Sequence, residues 1–464
     1  MLLENLLLPG NNAVDAETVR SLLKEFAAAP VYRSAAVEEL ILEDDYFRRP
    51  LRPEDLEFID FSTPLDRSLA SSLSALATHR MLLCIHDAQS IRLPRDGQKW
   101  SAFLDFYSDR NRILGEIVRP FLEHHAFDRL EQTTVPTAID FDAAAARIME
   151  TRAQRLETEA RMGGLASSPP NAKEKRRMQL VQFFGLADER RRALEAIAGG
   201  WLSEVSGAAA AARALLDSVP AADETRVADE IGCPIHSHAC WQFYLPGSLA
   251  MANLLHYLAS RGRNALRSLG ALMFAVVAAD AFLRQNAQSF IDGSAPALTP
   301  DKLRALFRDL VAPIAERWGE SVWSEVSAGF QLCAAAQAIA DEDLTRQLSW
   351  ISGIERYKKL AQTIQAKIDN ERIAIDRETF EEPREMCSTT HVHDDQRLVV
   401  IESGEMVFWG APGMRVHLAP GEMILVPRQR LHGSSVMSDI CVYHQPIIPE
   451  EWIGALVGSA ATQS

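Results

Sequence analysis

The sequence predicts a multidomain α + β chain, all-α for most of its length and ending in a small antiparallel β domain. Three observations carry this. Up to about residue 370 the chain is Ala- and Leu-rich with helical periodicity. From about residue 375 it breaks into short alternating segments separated by turns. That second texture opens on a histidine pair, His391 and His393.

Apolar faces spaced by threes, fours and sevens occur at Leu22, Leu23 and Phe26, at Leu65, Leu69, Leu73, Leu76 and Leu83, and at Leu344, Leu348 and Ile351. Many long helices in succession imply a bundle. The most apolar helix candidate runs from Ser268 to Ala279 between Arg267 and Asp280, too short for a bilayer and suited to a buried core. Residues 163–177, with a Gly pair, a Pro pair and a basic run, read as the clearest internal loop. The chain is accordingly divided into an N-terminal helical region over 1–130, a central helical domain over 131–370 and a β domain over 371–464.

In the last of these, Arg397 to Ile401 is a β-branched run, Gly404-Glu405 and Gly410 to Gly413 carry turn chemistry, and Met414 to Leu418 alternates polar with apolar residues. Short strands at this spacing indicate a sandwich or barrel.

Hydrophobic residues make up 47% and charged residues 24% of the 464 positions, the balance of a globular chain rather than a disordered one. A net charge of −15 opposes nucleic acid as a main partner, because phosphate binding needs a basic footprint. The N-terminus carries Glu4 and no basic region, so it does not read as a signal peptide, and six scattered cysteines suit reduced thiols. The expectation is a cytoplasmic protein with no membrane and no nucleic-acid partner.

His391 and His393, at i and i+2, fall on one face of a strand. Downstream, Gly421, Pro427 and His432 form a Gly-x5-Pro-x4-His element. Imidazole suits a divalent transition metal, and two neighbouring strands can bring three imidazoles to one ion. His391, His393 and His432 are therefore the candidate metal ligands.

The segments HVHDDQRLVVIESG and PGEMILVPRQRLH resemble the two motifs of the cupin superfamily, a jelly-roll barrel that binds iron or another divalent metal. The resemblance assigns His391 and His393 to the first motif, Gly404 to its closing glycine and His432 to the second. Two positions depart from it: Arg397 stands where a glutamate ligand is usual, and Gln429 where glycine is usual. Arginine offers only donors and cannot ligate. Pointing inward, Arg397 could orient a carboxylate or an oxyanion; pointing outward, it would not. Three neutral imidazoles leave the full charge of a divalent ion, with open positions suited to Fe(II), one per chain, and O2 as co-substrate. Tyr443, His444 and Trp409 are lining candidates, with Tyr443 foremost because a phenol can donate a proton.

A long helical part before a C-terminal cupin resembles the streptozotocin-type nitrosourea synthases, in which a helical dimerisation region and a haem-oxygenase-like di-iron domain precede the cupin. The resemblance also rests on Leu254 to Asp280. It implies an oxygen-dependent cupin enzyme of natural-product biosynthesis, a homodimer. The reaction would oxidatively rearrange an N-hydroxylated, arginine-derived guanidine, form an N–N bond and release an N-nitroso or diazeniumdiolate product. That family carries a His-x3-Asp-x2-His cluster on a late helix. Here the positional counterpart, around Arg317, Ser321 and Ser324, offers no imidazole or carboxylate, and no histidine lies between His256 and His391. The helical domain is therefore expected to lack the di-iron ligands, leaving a separate enzyme to supply the N-hydroxylated, nitrogen-rich small molecule. Two rival functions stay open: another three-histidine cupin dioxygenase acting on thiols or carbon–carbon bonds, and a non-catalytic metal- or ligand-sensing cupin.

Other clusters have structural readings beside functional ones. Cys233, His236, His238 and Cys240 could hold zinc or simply pack and cap a helix. His79 with His86, His124 with His125, and His256 suit structural roles, and Glu150 with Glu157 a solvated helix face.

Overall fold

A computed structural model describes residues 16–29, 56–57, 59, 61, 63–89, 100–134, 138, 140–235, 240–291, 298–384 and 386–453. The described residues form a helical body followed by a C-terminal, curled antiparallel half-barrel, the fold class expected from sequence.

The helices are α1 (Ala16–Ala27), α2 (Leu73–Ala88), α3 (Trp100–Phe106), α4 (Asp109–Thr133), α5 (Phe141–Ser167), α6 (Ala172–Phe184) and α7 (Ala187–Gly199). They continue with α8 (Ala208–Leu216), α9 (Glu224–Ile231), α10 (Pro246–Ser260), α11 (Ala265–Asn286), α12 (Pro300–Trp318), α13 (Ser321–Ser352) and α14 (Ile354–Glu371). Several begin where orphan amides find a side chain: Ser72, Asp140 and Thr299 accept from the amides of Ala75, Ala143 and Lys302. Pro246 and Pro300 open α10 and α12, where a missing N–H costs nothing.

The core of the body is α11 against α13, with α5 and α10 beside them. Gly270 and Gly329 let two backbones touch: a Cβ on Gly270 would stand 1.9 Å from the Val326 carbonyl oxygen, and one on Gly329 1.9 Å from that of Arg267. The apolar stretch expected to stop at Asp280 runs on to Asn286. Asp280 is buried rather than terminal, because Arg284, one turn later, donates to it at 2.7 Å and Arg152 lies 3.5 Å away. Among the described residues Gly262–Asn286 is long and apolar enough to cross a bilayer, but its apolar window is 78% buried by the protein itself, as a core helix is.

Two sequence readings are corrected here. Leu65 and Leu69 do not share a helix with Leu76 and Leu83; the helix starts at Leu73, the Leu65 amide donates to the His125 carbonyl at 2.8 Å, and Leu69 is exposed. The glycine pair of residues 163–177 lies within α5, and only 168–171 turn the chain into α6. Gly163 faces Asn286, whose side chain occupies the space a Cβ would take.

Among the described residues nine strands follow: β1 (Thr379–Pro383), β2 (Cys387–His391), β3 (Gln396–Ser403), β4 (Met406–Trp409), β5 (Val416–Leu418), β6 (Met423–Val426), β7 (His432–Val436), β8 (Ile440–His444) and β9 (Ile447–Ile448). One antiparallel ladder runs β1-β8-β3-β6 with β9 against β3; the other runs β2-β7-β4-β5. Residues facing between the ladders, including Val399, Ile401, Tyr443, Phe408 and Val436, join the apolar core of the helical body. The outer face of the first ladder, through Leu398, Leu425 and Ile448, packs on Ala361, Ile364 and Ile368 of α14. The β domain is thus covered by helices on two sides.

Candidate metal centre

His391 ends β2 and His432 begins β7; the two are register partners on adjacent antiparallel strands. Between Ser388 and His391 the register slips, so Thr389 and Thr390 together face Gly433. Such a bulge bends the strand and re-aims the side chains that follow it. His393 lies past the end of β2, not on the strand as its i+2 spacing suggests, yet its Nε2 stands 3.1 Å from that of His391.

One ligand atom from each of His391, His393 and His432 lies within 4.8 Å of the others, and among the described residues this is the one group of three metal-ligand side chains so disposed. The ring orientations are set by carbonyls two residues back: His391 Nδ1 lies 2.9 Å from Thr389 O, and His432 Nδ1 2.8 Å from Arg430 O. With Nδ1–H donating there, Nε2 of both rings presents its lone pair to the common centre. Metal–nitrogen bonds of about 2.1 Å at a right angle span about 3.0 Å between nitrogens, close to the His391–His393 separation. The donor set therefore fits a divalent ion, and the unshared Nε2 lone pairs leave a place for it.

His432 is buried, while His391 and His393 are partly exposed, so the centre opens on their side. Burial, reinforced by the nearby His391, holds the His432 pKa down to about 3, so this ring is a neutral donor across the physiological range.

Arg397 shares the inward parity of Val399 and Ile401 but is committed elsewhere. Its Nε donates to Asp395 at 2.6 Å and its Nη1 to Glu378, so two carboxylates already balance its charge. Tyr443 is buried on that inward side, stacked on Phe380 with ring centres 5.2 Å apart. His444 alternates outward, with Nδ1 2.9 Å from Thr379 Oγ1 and Nε2 3.0 Å from Glu402. Trp409 lies against Gly433, beside His432, and its buried indole N–H has no acceptor among the described residues. Gln429 holds φ at 59°, the left-handed conformation for which glycine is the usual residue, and its amide donates to His393 O at 2.6 Å.

The other clusters resolve into separate contacts. Cys233 and Cys240 bring their thiols to 2.8 Å, both buried; His236 and His238 lie outside the described residues. His79 and His86 do not pair with each other. His86 stacks on His256 at 4.3 Å, and Asn253 Nδ2 lies 3.4 Å from His79 Nδ1. His124 lies 3.7 Å from Asp128, and His125 Nε2 2.7 Å from Ser74 Oγ. Glu150 and Glu157 are exposed, with Arg147 beside Glu150.

Arg317, Ser321 and Ser324 straddle the junction of α12 and α13, where Arg317 and Ser321 are exposed, so they do not form a wall inside the body. The body does hold a partly open cavity of about 420 Å³, lined by α5, α6, α7, α8, α10, α11 and α13. Its α11 wall carries Ala275, Ala279 and Phe282, a spacing of four then three with no ligand atom on any of them. Its polar lining includes Arg155, which pairs with both Glu159 and Asp341, together with Gln179, Gln182 and Arg190.

Sequence reasoning missed the groups that hold the ligands from behind: Arg80 of α2, Gln242 and Gln347 of α13. Gln347 Nε2 donates to Gly410 O and Leu431 O at 2.9 and 2.8 Å, and its Oε1 accepts from the Leu431 amide at 3.0 Å. Nothing local in the sequence marks these side chains, since their partners lie 63 to 310 residues away.

No family profile matches the chain. A curated relative, a nitrosourea synthase from Streptomyces achromogenes subsp. streptozoticus, is 28% identical over 468 aligned residues, covering 92% of this chain and 94% of that protein. Along nearly its whole length, the chain resembles a nitrosourea synthase, with a helical body followed by a cupin-like β half-barrel that brings three histidines together.

Proposed function

We propose that the protein is a cytoplasmic, iron-dependent cupin enzyme of natural-product biosynthesis. It would oxidatively rearrange an N-hydroxylated, arginine-derived guanidine, forming an N–N bond with O2 as the oxidant. The observation that carries this reading is the convergence of His391, His393 and His432 in a chain that aligns with a nitrosourea synthase over nearly its whole length.

Fe(II) held by the three imidazoles would supply the oxygen-dependent redox chemistry. The chain's own residues do the rest. The carbonyls of Thr389 and Arg430 fix the imidazole tautomers, and partly exposed His391 and His393 leave a side for substrate entry. Tyr443, on the inward face of β8, is proposed to hold or donate a proton to the bound guanidine. Arg397, already balanced by Asp395 and Glu378, is proposed to order the rim of the half-barrel rather than act as a free cation. Because the α11 wall of the helical cavity carries no ligand atom, the N-hydroxyl group is proposed to come from a separate enzyme. A homodimer is proposed as well, supported by the exposed apolar side chains Trp100, Leu104, Ile113 and Ile117 on α3 and α4.

The test is metal analysis joined to turnover. One iron per chain is expected, with O2 consumption on hydroxyguanidines of arginine. His391→Ala and His432→Ala should each abolish turnover and metal while far-UV circular dichroism keeps the helical signal. Two or more irons per chain, or oxidation of free thiols with none of hydroxyguanidines, would overturn the reading.

A further inference from the structure

Each ligand of the triad is flanked by a group that the helical body holds. Asp394, after His393, accepts from the amide of Leu73 at the start of α2 at 3.2 Å. Leu431, before His432, is clamped on both its amide and its carbonyl by Gln347. The densest hold is on Thr390, before His391.

Thr390 is fully buried and sits in the β2 bulge, where the register gives it no partner of its own across the strand. A buried N–H or C=O left without a partner costs about 1–3 kcal/mol. Helical-body groups meet all three polar atoms. Arg80 donates from Nη1 to Thr390 O at 2.7 Å and from Nη2 to Thr390 Oγ1 at 2.9 Å. Gln242 accepts from the Thr390 amide at 3.3 Å through Oε1, and its carbonyl accepts from the Thr390 hydroxyl. Arg80 is itself 6% exposed, with its guanidinium 5.1 Å from the centre of the Trp241 ring. A forked, planar cation between one carbonyl and one hydroxyl of the same residue fixes both the position and the rotation of that residue.

We propose that Arg80 is a positioning residue for the metal centre, acting through Thr390 to hold the bulge that aims His391 at His393 and His432. The inference rests on the reading that the triad binds a divalent ion. It assigns the helical body a task in the β domain's chemistry: α2 completes the metal site from behind. Groups behind metal ligands commonly control affinity by about 10–100-fold, and this one reaches the ligand through a single peptide unit.

The experiment titrates the full-length, metal-free protein with Co(II) and reads both the dissociation constant and the visible absorption of the bound ion. Wild type should bind one Co(II) per chain. Arg80→Met removes the donors while keeping the stem. Thr390→Val removes one oxygen and serves where loss of Arg80 unfolds the chain. Each should weaken Co(II) binding by about 10–100-fold and alter the absorption bands. The double variant should weaken binding by less than the product of the two single effects, because both singles remove the Nη2–Oγ1 hydrogen bond. Arg80→Lys should recover part of the affinity, since one ammonium cannot span both oxygens. Arg80→Met or Thr390→Val with wild-type affinity and spectrum in a folded chain would overturn the assignment. Failure of wild type to bind Co(II) would instead remove the metal reading on which it stands.

Discussion

Gln347 offers a direct measure of how tightly the helical body grips the β domain. It is fully buried on α13 and makes three hydrogen bonds to backbone beside the metal ligands: two donated to Gly410 O and Leu431 O, and one accepted from the Leu431 amide. Gln347→Leu keeps nearly the same volume, so the cavity contribution is small and the loss is polar. Three backbone groups would be left buried without partners, each costing about 1–3 kcal/mol, with some relief from relaxation. The expected destabilisation is about 3–5 kcal/mol, read by urea unfolding followed through far-UV circular dichroism and indole fluorescence. The same variant should weaken Co(II) binding, because Leu431 leads directly into His432. A change under about 1 kcal/mol, with unaltered metal affinity, would refute the view that this contact is a structural clamp.

Three further outcomes are expected. Gly270→Ala and Gly329→Ala should each cost more than about 3 kcal/mol or prevent folding, since the added methyl would stand 1.9 Å from a facing carbonyl oxygen. Soluble expression and melting temperature report this. Gly164→Ala, on α5 with nothing within 4 Å of the new methyl, should instead stabilise by about 0.5–1 kcal/mol. His79 supplies a pH test: burial, then the electrostatics of His125, holds its pKa down to about 3 against 6.5 when free. Between those values the unfolded chain binds the extra proton, so stability falls as pH drops, by up to about 1.4 kcal/mol per unit. His79→Gln should flatten the fall in stability below pH 6, measured by urea midpoints.

The β domain was largely legible because its signals are local. Alternation in Val416–Leu418 and turn glycines at 404 and 413 each specify geometry within a few residues, whereas the i, i+2 histidine spacing marked the ligands but not that His393 lies past the end of β2. The helical body was less so. Leu65 and Leu69 share a helical spacing with Leu73, but Ser72 caps the helix after them and a short-range count of leucines does not see the cap. Gly163-Gly164 read as a break, yet Gly163 is small because Asn286 of α11 approaches it, a reason that lies 123 positions along the sequence. The metal-site supports were hidden for the same cause. Helix α2 is buried on nearly every side from Ala75 to Asp87, so no polar face singles out Arg80 as different from its neighbours.

The two departures from the cupin motifs bear on whether the centre can work as a metal site, and both are accommodated by residues outside the motifs. A left-handed backbone on a non-glycine residue costs about 1–3 kcal/mol. Gln429 offsets part of this by donating its amide N–H to His393 O and its side chain to Ser68 O at 3.3 Å, which ties both motif loops to the helical body. Arg397 replaces a carboxylate with a cation, which would repel a divalent ion if left uncompensated. Asp395 and Glu378 close on the guanidinium, so the pair of carboxylates, and not the ion, meets its charge. The site therefore faces a divalent ion with three neutral donors and no unbalanced cation, and the ion's own charge remains to bind an anionic or chelating substrate.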